Sequence, residues 1–403
     1  MKTNWQTKKL GEVCEIVNGS TPLRSNKDFW EGGNIDWFTI EDIRKQGRVI
    51  RITEQKITQR ALKKMGDRLL PPESVLLCCT ASVGEYAITK VPLVTNQQFN
   101  GLVIKDSRIL NPMFLFYFSS MLKDHLLTLS GKATIDFIPI SRLKNIDINY
   151  PQISEQKRIV KILDETFKKI ERIKKNLEAN RSSSIEFFDS YLQDVLKMNA
   201  KKWKSSILKE LSIKIGSGAT PRGGKDSYTN EGTSLVRSMN VHDRFFKEKN
   251  LAYINEKQAK DLSNVTLEEN DVLVNITGAS VARSCVFPGK YLPARVNQHV
   301  SIIRVDQDVI DPKFLNFLLT SNFYKKQLLA TGEQGSTRQA ITKSQLECFE
   351  VEYPSLVEQK SIVKKLDALS EKTKKLEEIY KRKLQNIDEL KKSILQKAFN
   401  GKL

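Results

Sequence analysis

Histidine and cysteine are scarce in this chain of 403 residues, and both shortages limit its chemistry. The three histidines, His125, His242 and His299, lie far apart, and none has a partner at a zinc-holding spacing. No nucleophile–histidine–acid set follows from such positions. The five cysteines, Cys14, Cys78, Cys79, Cys285 and Cys348, are odd in number and form no C-x-x-C pair. They read as reduced thiols in strands and cores, which suits the cytoplasm. The N-x-T triplets at Asn264 and Asn275 therefore carry no glycan expectation. No apolar run approaches the roughly 20 residues that span a bilayer, and "MKTNWQTKKLGEV" lacks the apolar core of a signal peptide. There is no G-x-x-x-x-G-K-[ST], so no P-loop. No strand–glycine-rich–helix unit suggests a dinucleotide or methyl-donor pocket, and "GSG" at 216–218 stands alone. These absences lead us to expect a chain that binds rather than catalyses, with no catalytic residue, metal or cofactor of its own.

Positive charge is abundant. Lys and Arg number 66 against 47 Asp and Glu, a formal net charge of +19. Such an excess favours a polyanionic partner, most often nucleic acid. Solvated lysines on long helices would give the same count.

The chain is one unit written twice. Trp5 aligns with Trp203, and "LGEVCEIVNGSTP" (10–22) with "LKELSIKIGSGATP" (208–221). "LLPPESVLLCCTASVGEYAI" (69–88) matches "LEENDVLVNITGASVARSCV" (267–286), and "VTNQQFNGLVI" (94–104) matches "RVNQHVSIIRV" (295–305). "LNPMFLFYF" (110–118) matches "IDPKFLNFL" (310–318), and "NYPQISEQKRIVKILD" (149–164) matches "EYPSLVEQKSIVKKLD" (352–367). The offset drifts only between about 198 and 203, which fits one ancestral unit. Equal surfaces make equal contacts, so the copies should be related by a pseudo-twofold axis.

Each copy opens β-rich. "SVLLCCTAS" and "DVLVNITGAS" read as short strands ending in turns, while Pro112 and Pro312 open short amphipathic helices. From Ser154 to about Asn199 there is neither Pro nor Gly. Ile159, Leu163, Ile170, Ile173, Leu177, Phe187 and Tyr191 recur there in a heptad rhythm. The second copy repeats it with Ile362, Leu366, Leu369, Leu376, Tyr380, Ile387, Leu390 and Ile394. A helix of about 45 residues is roughly 65 Å long and cannot bury its own stripe. Two of them should pair as an antiparallel coiled coil, although two separate tails binding other proteins would carry the same stripe. The expected fold is α/β (α+β). Two β-rich domains, 1–153 and 203–354, are joined by long helices over 154–202 and 355–403. Trp5 should then lie beside the C-terminal "AFNGKL".

Two catalytic look-alikes fall away. "NPMF" at 111–114 is similar to the N-P-P-Y signature of amino-methyltransferases, but it and its counterpart "DPKF" lack the second proline. "EQK" at Glu155–Lys157 and Glu358–Lys360 fits a nuclease E-x-K fragment, yet it sits in a first helical turn, where acidic residues favour the helix dipole. Ser154 is the expected N-cap of the first long helix.

The duplicated unit with a heptad helix after each copy strongly resembles the specificity subunit of type I restriction–modification enzymes. The likeness rests on the openings "W…KLGEVCEIVNGSTP" and "W…LKELSIKIGSGATP" and on "CTASVGEYAI". It rests also on the junctions "YPQISEQKRIVKILD" and "YPSLVEQKSIVKKLD" and on the end "LQKAFNGKL". It spans the whole chain, and the repeated junction is its most specific part. The resemblance implies that each β-rich domain reads one half of a split, asymmetric double-stranded DNA target. The helices would set the gap and dock two methyltransferase subunits, which motor–nuclease subunits join. S-adenosylmethionine, ATP and magnesium would belong to those partners.

Base reading needs Arg, Lys, Asn, Gln, Ser or Thr on loops. In the first domain the candidates are Ser20, Thr21, Arg24, Asn26 and Lys27; Trp37, Thr39, Arg44, Lys45 and Arg48; and Thr80, Ser82 and Tyr86. In the second they are Thr220, Arg222 and Lys225; Arg237, Ser238, Asn240 and Arg244; Thr277, Ser280 and Arg283; and Ser336, Thr337, Arg338 and Gln339. Capping would account for any single Thr or Ser, and a solvated charge for any Arg. Thr21-Pro22 and Thr220-Pro221 occur in both copies, which suits a framework role as well as sequence choice. The coil lysines, such as Lys168, Lys174, Lys374 and Lys391, suit solvent, phosphate or partner docking alike. Two other classes remain open: a basic coiled-coil scaffold binding RNA or protein without sequence preference, and a standalone methyltransferase or nuclease. The first predicts no discrimination among duplexes, the second activity from the purified chain alone.

Overall fold

The computed structural model describes residues 5–129, 138–199, 203–221, 223–333 and 340–403. The chain divides into two compact units, Met1–Leu177 with Arg382–Leu403, and Glu178–Lys381.

In the first unit, short apolar runs whose central strands are buried on both faces build a five-stranded sheet. Its order is Cys14–Asn18, Phe99–Ile104, Val75–Cys78, Tyr86–Thr89 and Val49–Ile50. A three-stranded sheet, Gln55–Ile57, Ile35–Phe38 and Leu93–Thr95, continues into it through the turn after Thr95. Gln6–Lys9 pairs antiparallel with Asp147–Tyr150 and closes the base. The second unit repeats the plan. Ser212–Ser217, Val300–Val305, Val272–Asn275 and Ser284–Val286 form one sheet, and Ala252–Ile254, Thr233–Val236 and Ala294–Val296 another. Lys204–Ile207 pairs with Glu350–Tyr353.

The larger sheet of each unit carries a helix with proline in its first turn, as expected, but Phe114–Ser119 and Phe314–Thr320 are buried throughout, so neither helix has the open polar face of an amphipathic one. Asn111 caps Pro112–Ser119 by accepting from Phe114 N at 3.1 Å, and Asp311 caps Pro312–Thr320 by accepting from Phe314 N at 3.0 Å. The "NPMF" and "DPKF" segments are therefore helix starts, with the Asn and Asp side chains spent on backbone donors.

The long helices run Ile153–Asn199 and Leu356–Phe399. Their junctions are bolted by the glutamine of each "EQK". Gln156 Oε1 accepts from Asn111 N at 2.8 Å, and its Nε2 donates to the carbonyls of Ile109 and Pro151, both at 2.8 Å. Gln359 does the same with Asp311 N at 2.8 Å and the carbonyls of Val309 at 3.0 Å and Pro354 at 2.9 Å. Both side chains are fully buried. Glu155 faces outward and binds Arg158 at 2.7 Å, which holds its carboxyl below the usual range. The N-cap expectation needs correction. The first helix already begins at Ile153, so Ser154 lies inside it, whereas Ser355 Oγ accepts from Glu358 N at 3.4 Å in the second copy.

Within the first unit the two helices run antiparallel. Lys174 meets Asp388 at 3.5 Å and Lys391 meets Glu171 at 3.0 Å, so numbering rises along one helix as it falls along the other. Ile159, Leu163 and Ile170 are buried with Leu395, Ala398 and Phe399, and Ile387 and Ile394 pack on them partly covered. In the second unit Ile362 and Leu366 are buried with Phe188, Leu192 and Leu196, with Leu369 alongside. The heptad reading departs from the structure in three ways. Ile173, Leu376 and Leu390 are exposed in this chain, at 49%, 42% and 50%, and Leu177 is only half-buried. Phe187 is 60% exposed while its neighbour Phe188 is buried. Phe167 and Leu395, outside the 4–3 series, are also buried. Phe167, Phe188 and Leu395 are covered because the buried apolar face is wider than a two-helix seam requires. Each helix end packs on its partner and also on the Pro112–Ser119 or Pro312–Thr320 helix of its own unit.

Trp5 lies where expected, beside the chain end. Its ring packs 6.3 Å from Phe114, which lies tilted 4.7 Å from Phe399, and its Nε1 faces Gly401. Trp203 takes the equivalent place against Phe314 at 5.7 Å.

Candidate nucleic-acid interface

Strand register gathers the variable loops at one end of the sheets. In the first unit Asn18 stands opposite Asn100, Cys78 opposite Phe99 and Phe38 beside Thr95. The loops after Asn18, Phe38 and Cys78 therefore meet the turn 95–98. In the second unit Ser217 stands opposite Ser301, Asn275 opposite Val300 and Val236 beside Val296. The loops after Ser217, Val236 and Asn275 meet the turn 296–299 in the same way. A further segment attaches to each end: Ile138 N donates to Cys79 O at 3.0 Å and Ile341 N to Ile276 O at 2.8 Å. The central strands are buried on both faces, so a sheet end is where loop side chains can be offered without disturbing the core. It is the part of the domain where sequence can vary freely.

The two copies build the floor of this end alike. Asn96 and Asn297 close turns in which Phe99 N and Val300 N donate back to their carbonyls, each at 3.2 Å. Their side chains accept from Gln98 N at 3.0 Å and His299 N at 3.1 Å. Gly19 and Gly218 pass so close that an added Cβ would lie 2.0 Å from Asn96 O and 1.7 Å from Val296 O. That contact explains the glycine of "NGSTP" and "GSGATP". Pro22 and Pro221 are buried, and the hydroxyls of Thr21 and Thr220 donate to Oε1 of Gln97 and Gln298.

Above this floor the copies differ. In the first, the Arg24 guanidinium lies 4.0 Å over Trp30 and 4.6 Å over Trp37 and donates to Gln55 Oε1 at 2.6 Å. Stacking and one hydrogen bond hold an otherwise exposed cation in a single pose. Leu23 beside it is 66% exposed. Asn26 caps a short turn by accepting from Asp28 N, and Lys27 points to solvent near Glu31. Ser20 contributes its carbonyl to Trp37 Nε1 at 3.1 Å. Arg44 and Lys45 are exposed but paired with Glu41 and Glu54. Thr80 and Ser82 are half-buried in the adjoining loop. In the second copy Arg237 lies 5.3 Å over Tyr228 and donates to Asn250 O at 2.5 Å. Its Nε is buried with no hydrogen-bond partner among the described residues. Met239 beside it is 41% exposed. Arg283 is half-buried near His242, whose imidazole is held below its ordinary pKa by burial first and by the Arg283 charge second.

Several candidates serve the fold instead. Trp37 is 2% exposed and lies in a core with Phe29 and Ile57, so no duplex reaches its face. Thr39 caps the helix Ile40–Gln46. Arg48 donates to Tyr86 O at 2.8 Å, pairs with Glu85 and covers the Tyr86 ring, which packs on Phe116. Asn240 is fully buried, accepting from Arg237 N and donating to Lys247 O. The Asn275 amide donates to the backbone carbonyl of Ser238 and to Oγ of Ser280, so of these two only the Ser280 side chain is engaged, and Thr277 is bound to His299. Arg244 reaches back from the interface to the first long helix, pairing with Asp189 at 2.9 Å over the Phe188 ring. All of these have backbone or core partners that a loop motif alone does not reveal. Arg222, Ser336, Thr337, Arg338 and Gln339, and the side chain of Lys225, lie outside the described residues. Sequence reasoning missed Gln97 and Gln298, both exposed at the tip of the shared turn. The signal was present: N-Q recurs at the same place in both copies.

Four thiols, Cys14, Cys78, Cys79 and Cys285, are buried as expected, whereas Cys348 is exposed at the end of the helix Lys343–Glu347. Burial pushes Cys14, Cys79 and Cys285 up to about 12. Among the described residues no cluster of His, Cys, Asp or Glu could hold a metal ion.

Comparison with known proteins agrees with this duplicated plan. The family model for the type I restriction modification DNA specificity domain matches twice, over residues 2–181 and 200–386. The specificity subunit of type I restriction enzyme MjaIX from Methanocaldococcus jannaschii is 27% identical over 343 residues, 81% of this chain and 78% of that one. The StySPI specificity subunit from Salmonella potsdam is 23% identical over 99% of this chain and 89% of its own. Among solved structures, a chain from a study of complex assembly and conformational transition of a type I R-M system superposes with a TM-score of 0.79. It is 18% identical, with 100% of this chain and 99% of that one covered, and so speaks to the fold.

Proposed function

The chain belongs to the type I restriction modification DNA specificity family, carrying two copies of its domain, and from that premise we propose how it divides the work. The loops at the sheet end of each unit read one half of a split double-stranded DNA target. The two halves differ, because the loops differ while the floor beneath them does not. The long helices fix the unspecified gap and present surface to two methyltransferase subunits, to which motor–nuclease subunits attach. In this reading the chain is a non-catalytic, cytoplasmic, DNA-associated subunit, and S-adenosylmethionine, ATP and magnesium act in its partners.

The observation that carries the reading is the repeated sheet end, with one turn and latch in both copies and different cation–aromatic arrangements above it. Half-sites about one helical turn apart need readers separated by roughly 34 Å, and a continuous helix of 47 residues is a stiff spacer. Exposed Ile173, Phe187, Leu376 and Leu390 on the helices supply apolar surface for partner docking. The net charge of +19 matches a phosphate-rich ligand.

The test is duplex selection from a random pool with this chain co-purified with its methyltransferase partner. The reading expects enrichment of one split motif. Inserting four residues near Asn180 should lengthen the preferred gap and leave both halves unchanged. Uniform recovery of all duplexes would support a non-specific scaffold instead.

A further inference from the structure

We propose that Gln97 and Gln298 are a matched pair of phosphate clamps, one per domain, each aimed by a threonine latch. This rests on the DNA-reading function proposed above and assigns it two residues and a division of roles.

Three observations converge. First, each glutamine occupies the tip of the same turn, one residue after Asn96 or Asn297, and each is exposed. Secondly, its side chain is tethered at the oxygen end. The hydroxyl of Thr21 or Thr220 donates to the amide oxygen, and the threonine is held by a buried proline on one side and a closely packed glycine loop on the other. Thirdly, neither Nε2 has a hydrogen-bond partner among the described residues. With one lone pair of its oxygen taken by the threonine, the exposed amide keeps both of its N–H donors uncommitted. Such a group suits an oxygen acceptor on the ligand.

The choice between phosphate and base follows from the duplication. The loops around the two latches differ, as readers of different half-sites must. A contact kept identical in both cannot report a difference between the halves. Phosphate oxygens are the acceptors every half-site offers, and side-chain amides are common donors to them. A clamped donor at the floor of the reading loops would set the depth and register at which Arg24 or Arg237 meets the groove. Being neutral, it displaces no counterion, so it differs from a Lys or Arg contact in its salt signature.

The experiment measures duplex affinity of the co-purified complex for its selected target, for single-base variants of it and for unrelated sequence, over a range of salt. Gln97→Ala and Gln298→Ala should each weaken binding about tenfold. The loss should be equal on all duplexes, with the ranking of base variants and the slope of log affinity against log salt unchanged. Thr21→Val should reproduce the loss of Gln97→Ala, and Thr21→Ser should restore affinity. Melting temperatures of the variants separate a lost clamp from a lost fold. Loss confined to one base position would make the glutamine a base reader and overturn the proposal, as would unchanged affinity on every duplex. If the wild-type complex itself discriminates no sequence, the proposed function fails. If it discriminates and the glutamine variants behave as wild type, only the clamp does.

Discussion

The two copies agree in their frame and part in the loops above it. Gln156 and Gln359 make the same three hydrogen bonds, Asn111 and Asp311 cap the same helix, and Thr21 and Thr220 latch the same glutamine. Above the latch, one copy stacks Arg24 on two tryptophans while the other sets Arg237 against a tyrosine and sends Arg244 back to its helix. Polar groups buried at a junction must all be satisfied, and few side chains satisfy three backbone groups at once. Loop side chains face no such demand. A duplicated reader can therefore change its target without rebuilding its frame.

One framework position departs from this rule and offers the strongest test. Asp271, 1% exposed, binds Arg304 at 2.8 Å in the second copy, while the paired strands of the first carry Ser74 and Val103 there. Arg304→Met strands a buried carboxylate and should cost about 3–5 kcal/mol, read from chemical denaturation. Replacing both, Asp271→Ser with Arg304→Val, installs the first copy's solution and should recover most of that loss. Failure to recover would mean that the copies' frames are not interchangeable.

Next in size are the bolts. Gln156→Leu and Gln359→Leu each leave Asn111 N or Asp311 N and two carbonyls without partners, and should destabilise by about 2–4 kcal/mol. The account expects similar costs in both, and a large difference would break the equivalence. Arg24→Ala should reduce discrimination at one half-site by about 1–3 kcal/mol and leave the other half untouched, measured by binding to single-base variants. Smallest is Lys391→Ala. Its pairing with Glu171 is exposed, so stability should change by no more than about 1 kcal/mol.

Much of the frame was legible because it is written twice. The aligned openings, the proline-led helices and the position of Trp5 beside "AFNGKL" all follow from comparing one half with the other. The interface was legible as loops but not as residues. Trp37 and Asn240 have the chemistry of readers, yet only three-dimensional packing reveals that one is core and the other a buried backbone clip. Arg244 could not be assigned from its loop because its partners, Phe188 and Asp189, are over fifty residues away. The heptad pattern missed Phe167 and Leu395 because a helix that packs on a domain as well as on another helix buries more than one seam.

The central claim is that this chain supplies the sequence preference of a DNA-modifying complex. The most direct measurement is to co-express it with its methyltransferase partner in a methylation-free host and map methylated adenines by single-molecule sequencing. The account predicts one split, asymmetric motif that appears only when both chains are present. A methylation pattern unchanged by this chain, with partner expression confirmed, would contradict it.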